Sequence, residues 1–170
     1  MYTGNYTPAE TLKFANKSGL ILNLDDISNV ESLREIGVPD VLSFRINPGI
    51  GKGAMESVVT AGPDAKFGVP FEKAAEAYRL AKTSGVKKFG IHMMTGSNIS
   101  DERYFAQIVE RLFEIVARVR DESDVEIEFM NIGGGFGVPY KPEEKSLNIE
   151  LVAKLVREVF DNSCKKFGLK

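Results

Sequence analysis

The stretch VEIEFMNIGGGFGVPY, residues Val125–Tyr140, joins a β-prone run to a loop that contains four glycines. Apolar and polar residues alternate in the run, which is typical of a β-strand. Glycine loses more conformational freedom on folding than any other residue, so this cluster indicates a backbone that something approaches closely. We therefore expect a strand that ends in a turn where side chains are not tolerated.

The composition is that of an ordinary globular domain. The chain has 170 residues, of which 43% are hydrophobic and 27% charged, and its net charge is −2. This charge does not indicate nucleic-acid binding. The single cysteine, Cys164, and the single histidine, His92, argue against a disulfide framework and a metal site rich in these ligands. No apolar run reaches about 18 residues and no signal-peptide pattern is present, so we expect a cytoplasmic protein without membrane partners.

Short β-prone runs alternate with helical patterns along the whole chain. The other β-prone runs are GLILNLD (19–25), DVLSFRIN (40–47) and KKFGIHMMT (87–95). Helical patterns occupy residues 7–19, 29–37, 71–85, 101–121 and 148–160. This alternation predicts βα units and a parallel sheet, with residues 1–170 forming a single unit without repeats or linkers.

The two faces of the strands separate the possible α/β folds. Successive side chains of a strand point to opposite faces, so Leu42 and Phe44 share one face while Ser43 and Arg45 share the other. A doubly wound sheet is buried on both faces and reads apolar throughout. A TIM-type (β/α)8 barrel has helices outside and its chemistry at the strand ends. We therefore predict part of such a barrel, with about four parallel strands and outer helices.

In this barrel, polar residues of the four strands point inward. They are Asn23, Arg45, His92 and Glu128. Each has an alternative interpretation, because a barrel interior also contains polar residues far from any site. Glu126 and Glu128 are then polar filler, His92 is an interior histidine with satisfied hydrogen bonds, and Arg45 belongs to a structural salt bridge.

The glycine loop follows the carboxyl end of a strand, where a barrel places its site. Successive glycine N–H groups can form a nest for an anion, most often a phosphate. Ser97, which follows the preceding strand within a Gly-Ser pair, can donate to the same phosphate. The alternative is a tight turn without a ligand. The spacing matches neither the Walker loop nor the dinucleotide fingerprint.

Several segments resemble, in the same order, the fold-type III pyridoxal-phosphate amino-acid decarboxylases, and diaminopimelate decarboxylases most closely. They are FRINPG (44–49), AKFGVP (65–70), GIHMMTGSN (90–98) and NIGGGFGVPYKPEEK (131–145). The resemblance implies an alanine racemase-like barrel that binds pyridoxal 5'-phosphate. It implies contacts to the cofactor phosphate from Gly133, Gly134, Gly135 and Ser97. It further implies a homodimeric enzyme that converts meso-diaminopimelate to L-lysine and CO2.

The chain departs from the family pattern at two places. The position of the family's ring-stacking histidine is Met94, and His92 lies two residues earlier on the same face. The Schiff-base lysine and the acid that pairs with the pyridinium nitrogen have no counterpart, since Lys66 matches a different segment. The resemblance thus implies a central barrel fragment without the early strands and the C-terminal β-domain. It assigns no catalytic residue here, and we expect the isolated chain to be inactive.

The predicted cofactor-binding residues are Ser97, Gly133, Gly134, Gly135, Met94, His92 and Arg45. Two other functions remain open at this point. One is a non-catalytic interaction protein related to the decarboxylases, which the altered stacking residue favours. The other is a phosphate-binding barrel enzyme that does not use pyridoxal phosphate.

Overall fold

The computed structural model describes residues 1–49 and 67–169, and Lys66 lies outside this part. The strands are β1 (Leu22–Leu24), β2 (Val41–Asn47), β3 (Val69–Pro70), β4 (Lys88–His92) and β5 (Ile127–Asn131). The sheet has the order β1-β2-β4-β5 with every pair parallel, and β3 pairs with the end of β2. The four predicted parallel strands are confirmed, whereas the short β3 was not predicted.

Each predicted helical pattern forms a helix. The helices are α1 (Ala9–Lys17), α2 (Asn29–Ile36), α3 (Ala74–Thr83), α4 (Glu102–Ser123) and α5 (Ile149–Phe167). In α4, residues three and four apart form one buried apolar face, which includes Ile108, Leu112 and Ile115. The helix begins where the Asp101 carboxylate accepts the Arg103 N–H, 3.1 Å away. Within the described residues, every helix is too short or too polar to cross a bilayer.

The apolar faces of β2 and β4 pack under the helices as predicted. Leu42, Phe44 and Ile91 are fully buried in the core. Tyr78 of α3 packs the edge of its ring against Phe44, with ring centroids 5.0 Å apart. The Tyr78 hydroxyl donates to the Gly90 carbonyl over 2.7 Å, which fixes α3 on the sheet. The opposite faces of β2 and β4 are therefore left for the polar residues.

Strand β5 interrupts the predicted alternation with a β-bulge. Phe89 pairs with Ile127, but the next residue of β4, Gly90, pairs with Phe129, so Glu128 is the extra residue. A Cβ on Gly90 would collide with the Phe129 ring. The missing side chain of Gly90 thus provides the space that the ring fills.

The bulge changes which residues of β5 face the inside of the sheet. Phe129 and Asn131 share the face of the β4 polar residues, while Met130 packs against the core on the helix side. Glu128, the extra residue, is exposed like Glu126, and its carboxylate lies 3.9 Å from the Lys88 ammonium, so the inward orientation of Glu128 stays a prediction. The prediction assumed an unbroken period of two, which a bulge shifts by one residue.

We expect Gly90→Ala to destabilise the protein by about 1–3 kcal/mol, because the new methyl group displaces the Phe129 ring. Urea unfolding measures this change. Gly90→Ala should reduce the free energy of unfolding less in the Phe129→Leu background than in the parent, since leucine leaves room for the methyl group. Strictly additive effects of the two substitutions would contradict the contact.

Candidate functional site

The loops that follow β4 and β5 lie side by side and continue the pairing of the two strands. The Met93 N–H donates to the Asn131 carbonyl over 3.0 Å. Farther along, the Ile99 N–H donates to the Gly135 carbonyl and the Gly137 N–H donates to the Ile99 carbonyl, both over 2.8 Å. The two backbones are therefore held in direct contact beyond the ends of the strands.

Gly133 and Gly135 are required by this contact between the loops. A Cβ on Gly133 would collide with the carbonyl oxygen of Met93, and one on Gly135 with that of Gly96. Both glycines also have φ values, +76° and +86°, that side chains disfavour. The backbone of the neighbouring loop is what approaches Gly133 and Gly135 closely, so these two glycines do not by themselves indicate a ligand.

Gly134 differs from both of its neighbours. Within the described residues, no atom lies within 4 Å of a Cβ built on it, and its φ is not positive. Its N–H donates to the sulfur of Met94 over 3.5 Å. Because no protein contact demands a glycine here, Gly134 is the position at which close approach of a ligand would explain one.

Asn131 holds the glycine loop and was missed as a site residue in the sequence. Its Oδ1 accepts the Gly133 N–H over 2.8 Å, which turns the chain at the end of β5. Asn two residues before a glycine is a recognised turn signal, and this signal was present in the sequence. The Gly133 N–H is consequently engaged within the protein.

The inner face of the sheet opens into a cleft of about 380 Å³, a size common for ligand sites. Its lining includes Arg45, His92, Met94, Asn131, Gly133 and Gly134. Two predicted residues, Ser97 and Gly135, do not line it. They lie together on the loops beyond it, with the Ser97 Cα 3.6 Å from a Cβ built on Gly135. The described residues contain no group of metal-ligating side chains.

His92 is a neutral hydrogen-bonding group at the floor of the cleft. The Asn23 side-chain amide donates to its Nδ1 over 3.2 Å, which leaves the ring proton on Nε2. Burial, and then the charge of Arg45, lower the pKa of His92 to about 4. Asn23 Oδ1 and the Ser43 hydroxyl are buried without a hydrogen-bond partner among the described residues. The floor is thus polar but uncharged at His92.

Arg45 provides a positive charge beside this neutral ring. Its guanidinium donates to Asn5 over 2.9 Å and lies 5.3 Å from the centroid of the Phe67 ring. Burial lowers the Arg45 pKa, an effect that nearby Asp25 opposes, and an arginine remains charged in either case. The cleft is therefore suited to an anion.

Comparisons with known proteins point to one family. The model of the family described as "Pyridoxal-dependent decarboxylase, pyridoxal binding domain" matches residues 1–170. The chain is 40% identical over 170 residues to diaminopimelate decarboxylase of Methanothermobacter thermautotrophicus, covering 99% of the chain and 40% of that protein. It is 37% identical over 161 residues to that of Thermoplasma acidophilum, covering 95% and 40%.

A solved structure shares the fold. The crystal structure of Helicobacter pylori diaminopimelate decarboxylase complexed with L-lysine matches with a TM-score of 0.82 at 24% identity, covering 93% of this chain and 41% of that one. The partial TIM-type barrel predicted from the sequence is thereby confirmed. The chain spans about 40% of the length of the curated relatives it matches.

We expect the His92 ring to titrate with a midpoint near pH 4, which proton NMR resolves because the chain has one histidine. The unfolded chain, with a pKa near 6.5, binds protons more readily than the folded state. The free energy of unfolding should therefore decrease as the pH falls from about 6.5 toward 4, by up to about 3 kcal/mol relative to His92→Gln.

Asn23→Asp serves as the control for this titration, since a carboxylate beside the ring should raise the His92 pKa. Urea unfolding at several pH values compares the three proteins. His92 would not be buried as described if its ring titrated near pH 6.5 in the parent and the free energy of unfolding had the same pH dependence in the parent and in His92→Gln.

Proposed function

The chain belongs to the pyridoxal-dependent decarboxylases, and we propose that its loops after β4 and β5 hold the phosphate of pyridoxal phosphate. The observation that carries this proposal is Gly134, which lines the cleft and whose missing side chain no protein contact explains. The positive charge of Arg45 in the same cleft favours an anionic ligand. The residues present therefore fit the cofactor.

We propose a smaller set of donors for the phosphate. The Gly133 N–H donates to the Asn131 oxygen, whereas the Gly134 N–H donates only to the Met94 sulfur, a weak acceptor. We therefore assign the backbone contacts to Gly134, in the cleft, and to Gly135, just beyond it. Within the described part of the chain, the Ser97 hydroxyl makes no hydrogen bond to protein, and we propose it as the third donor. Gly133 then serves the packing of the loop.

We propose that the cofactor ring lies against His92, at the floor of the cleft, and against Met94. The neutral His92 presents its Nε2–H as a donor, and the Met94 thioether supplies a polarizable surface. When bound, pyridoxal phosphate supplies a ring that accepts the electron pair left by a departing carboxylate. The contribution of this chain is to bind and orient that group.

For the whole protein we propose decarboxylation of meso-diaminopimelate to L-lysine and CO2. The support is the identity to diaminopimelate decarboxylases, and the family match favours pyridoxal phosphate over a barrel enzyme without it. We infer that residues 1–170 form part of a larger barrel, because apolar residues of α5 such as Phe160 remain exposed. We also propose that the enzyme is a homodimer.

Product analysis of the intact protein tests this activity. With pyridoxal phosphate present, we expect L-lysine and CO2 from meso-diaminopimelate, and no comparable turnover of L-ornithine or L-arginine. Cofactor binding without turnover of any of these amino acids would instead support a non-catalytic interaction protein. Light scattering of the same preparation measures its oligomeric state.

We expect Gly134→Ala to weaken pyridoxal-phosphate binding about tenfold or more, while the free energy of unfolding stays within about 0.5 kcal/mol of the parent. The added methyl group meets no protein atom, so a loss of affinity reports the ligand. An absorbance titration and urea unfolding measure the two quantities. Unchanged affinity would place the phosphate elsewhere.

Gly135→Ala is the matched control. Its methyl group would collide with the Gly96 carbonyl and would occupy a positive φ, so it should destabilise the protein with or without cofactor, by more than about 1 kcal/mol. Loss of binding in this variant does not distinguish a ligand contact from a distorted loop. Gly134 is therefore the informative position.

A further inference from the structure

Met94 makes a contact that its neighbour Met93 cannot make. Met93 points to the helix side and is fully buried in the core. Met94 points into the cleft, where its sulfur accepts the Gly134 N–H over 3.5 Å. A Cβ built on Gly133 would lie 3.1 Å from the same sulfur, so the thioether packs directly on the glycine loop.

The N–H that Met94 accepts belongs to Gly134, the glycine that lines the cleft and has open space in place of a side chain. A phosphate that binds there needs this N–H, and the sulfur of Met94 occupies its acceptor position. A thioether is a weak acceptor, whereas a hydrogen bond to a charged oxygen is roughly twice as strong as a neutral one. The anion should therefore displace the sulfur, but against a small opposing free energy.

We propose that Met94 sets the anion affinity of the glycine loop by competing for the Gly134 N–H. This inference rests on the proposed phosphate site. In the absence of ligand, the sulfur satisfies the N–H and keeps the loop in its binding conformation. When an anion arrives, the sulfur releases the N–H and moves within the cleft that Met94 lines. Met94 is thus a positioning residue that tunes affinity.

The test is a titration with inorganic phosphate, followed by the amide signal of Gly134 in ¹⁵N-labelled protein. Met94→Leu removes the sulfur acceptor at similar volume, and we expect phosphate affinity to rise about two- to fivefold. Met94→Gln places a stronger oxygen acceptor at the same position, and affinity should fall below that of the parent. Met93→Leu, the same substitution on the opposite face, should leave affinity unchanged.

The outcomes separate this inference from the proposed function. If phosphate shifts the Gly134 signal but binds the parent, Met94→Leu and Met94→Gln with equal affinity, the proposed competition is wrong and the phosphate site stands. If phosphate leaves the Gly134 signal unchanged in the parent and in every variant, both the competition and the proposed phosphate site are wrong. The ligand-free spectra add a direct readout, since the Gly134 amide proton should shift in Met94→Leu and not in Met93→Leu. Urea unfolding verifies that each variant is folded.

Discussion

The backbone contact between the loops after β4 and β5 is the constraint on which the site depends. Three hydrogen bonds extend the strand pairing into the loops, and glycines at positions 133 and 135 allow the carbonyls of Met93 and Gly96 to approach. These contacts hold the loops together and restrain the residues between the contact points. Gly134 is consequently presented to the cleft with Met94 beside it.

The electrostatics of the cleft follow from the register of the sheet. Arg45 and His92 are direct partners on β2 and β4, so their side chains emerge next to one another on the inner face. A buried histidine beside a guanidinium releases its proton, and the cleft then carries the arginine charge with a neutral donor. Asn23 of β1 orients the His92 ring through its hydrogen bond to Nδ1. Parallel pairing alone brings these three residues together.

The residues that pack against the helices and the residues that line the cleft lie on opposite faces of the sheet. Residues that contact the helices, such as Leu42 and Ile91, are fully buried and determine stability. Polar residues of the opposite face, such as Arg45 and His92, line the cleft and are not part of the apolar core. A substitution at a cleft residue such as Met94 can therefore change the cleft while the fold is retained.

Much of the fold was determined by the sequence alone. The alternation of strands and helices, the parallel sheet and the two faces of β2 and β4 follow from periods of 2 and 3.6 residues, which are local properties of the chain. The glycine cluster predicted the candidate site for the same reason, since it marks one short loop.

The tertiary structure decided what depends on residues distant in the sequence. The bulge of β5 depends on Gly90 of another strand, because only a residue without a side chain leaves room for the Phe129 ring. The roles of the glycines depend on which carbonyls face them, and this separates Gly134 from its neighbours. The pKa of His92 depends on burial and on a charge from β2. No local pattern encodes these contacts, since each requires two segments that only folding brings together.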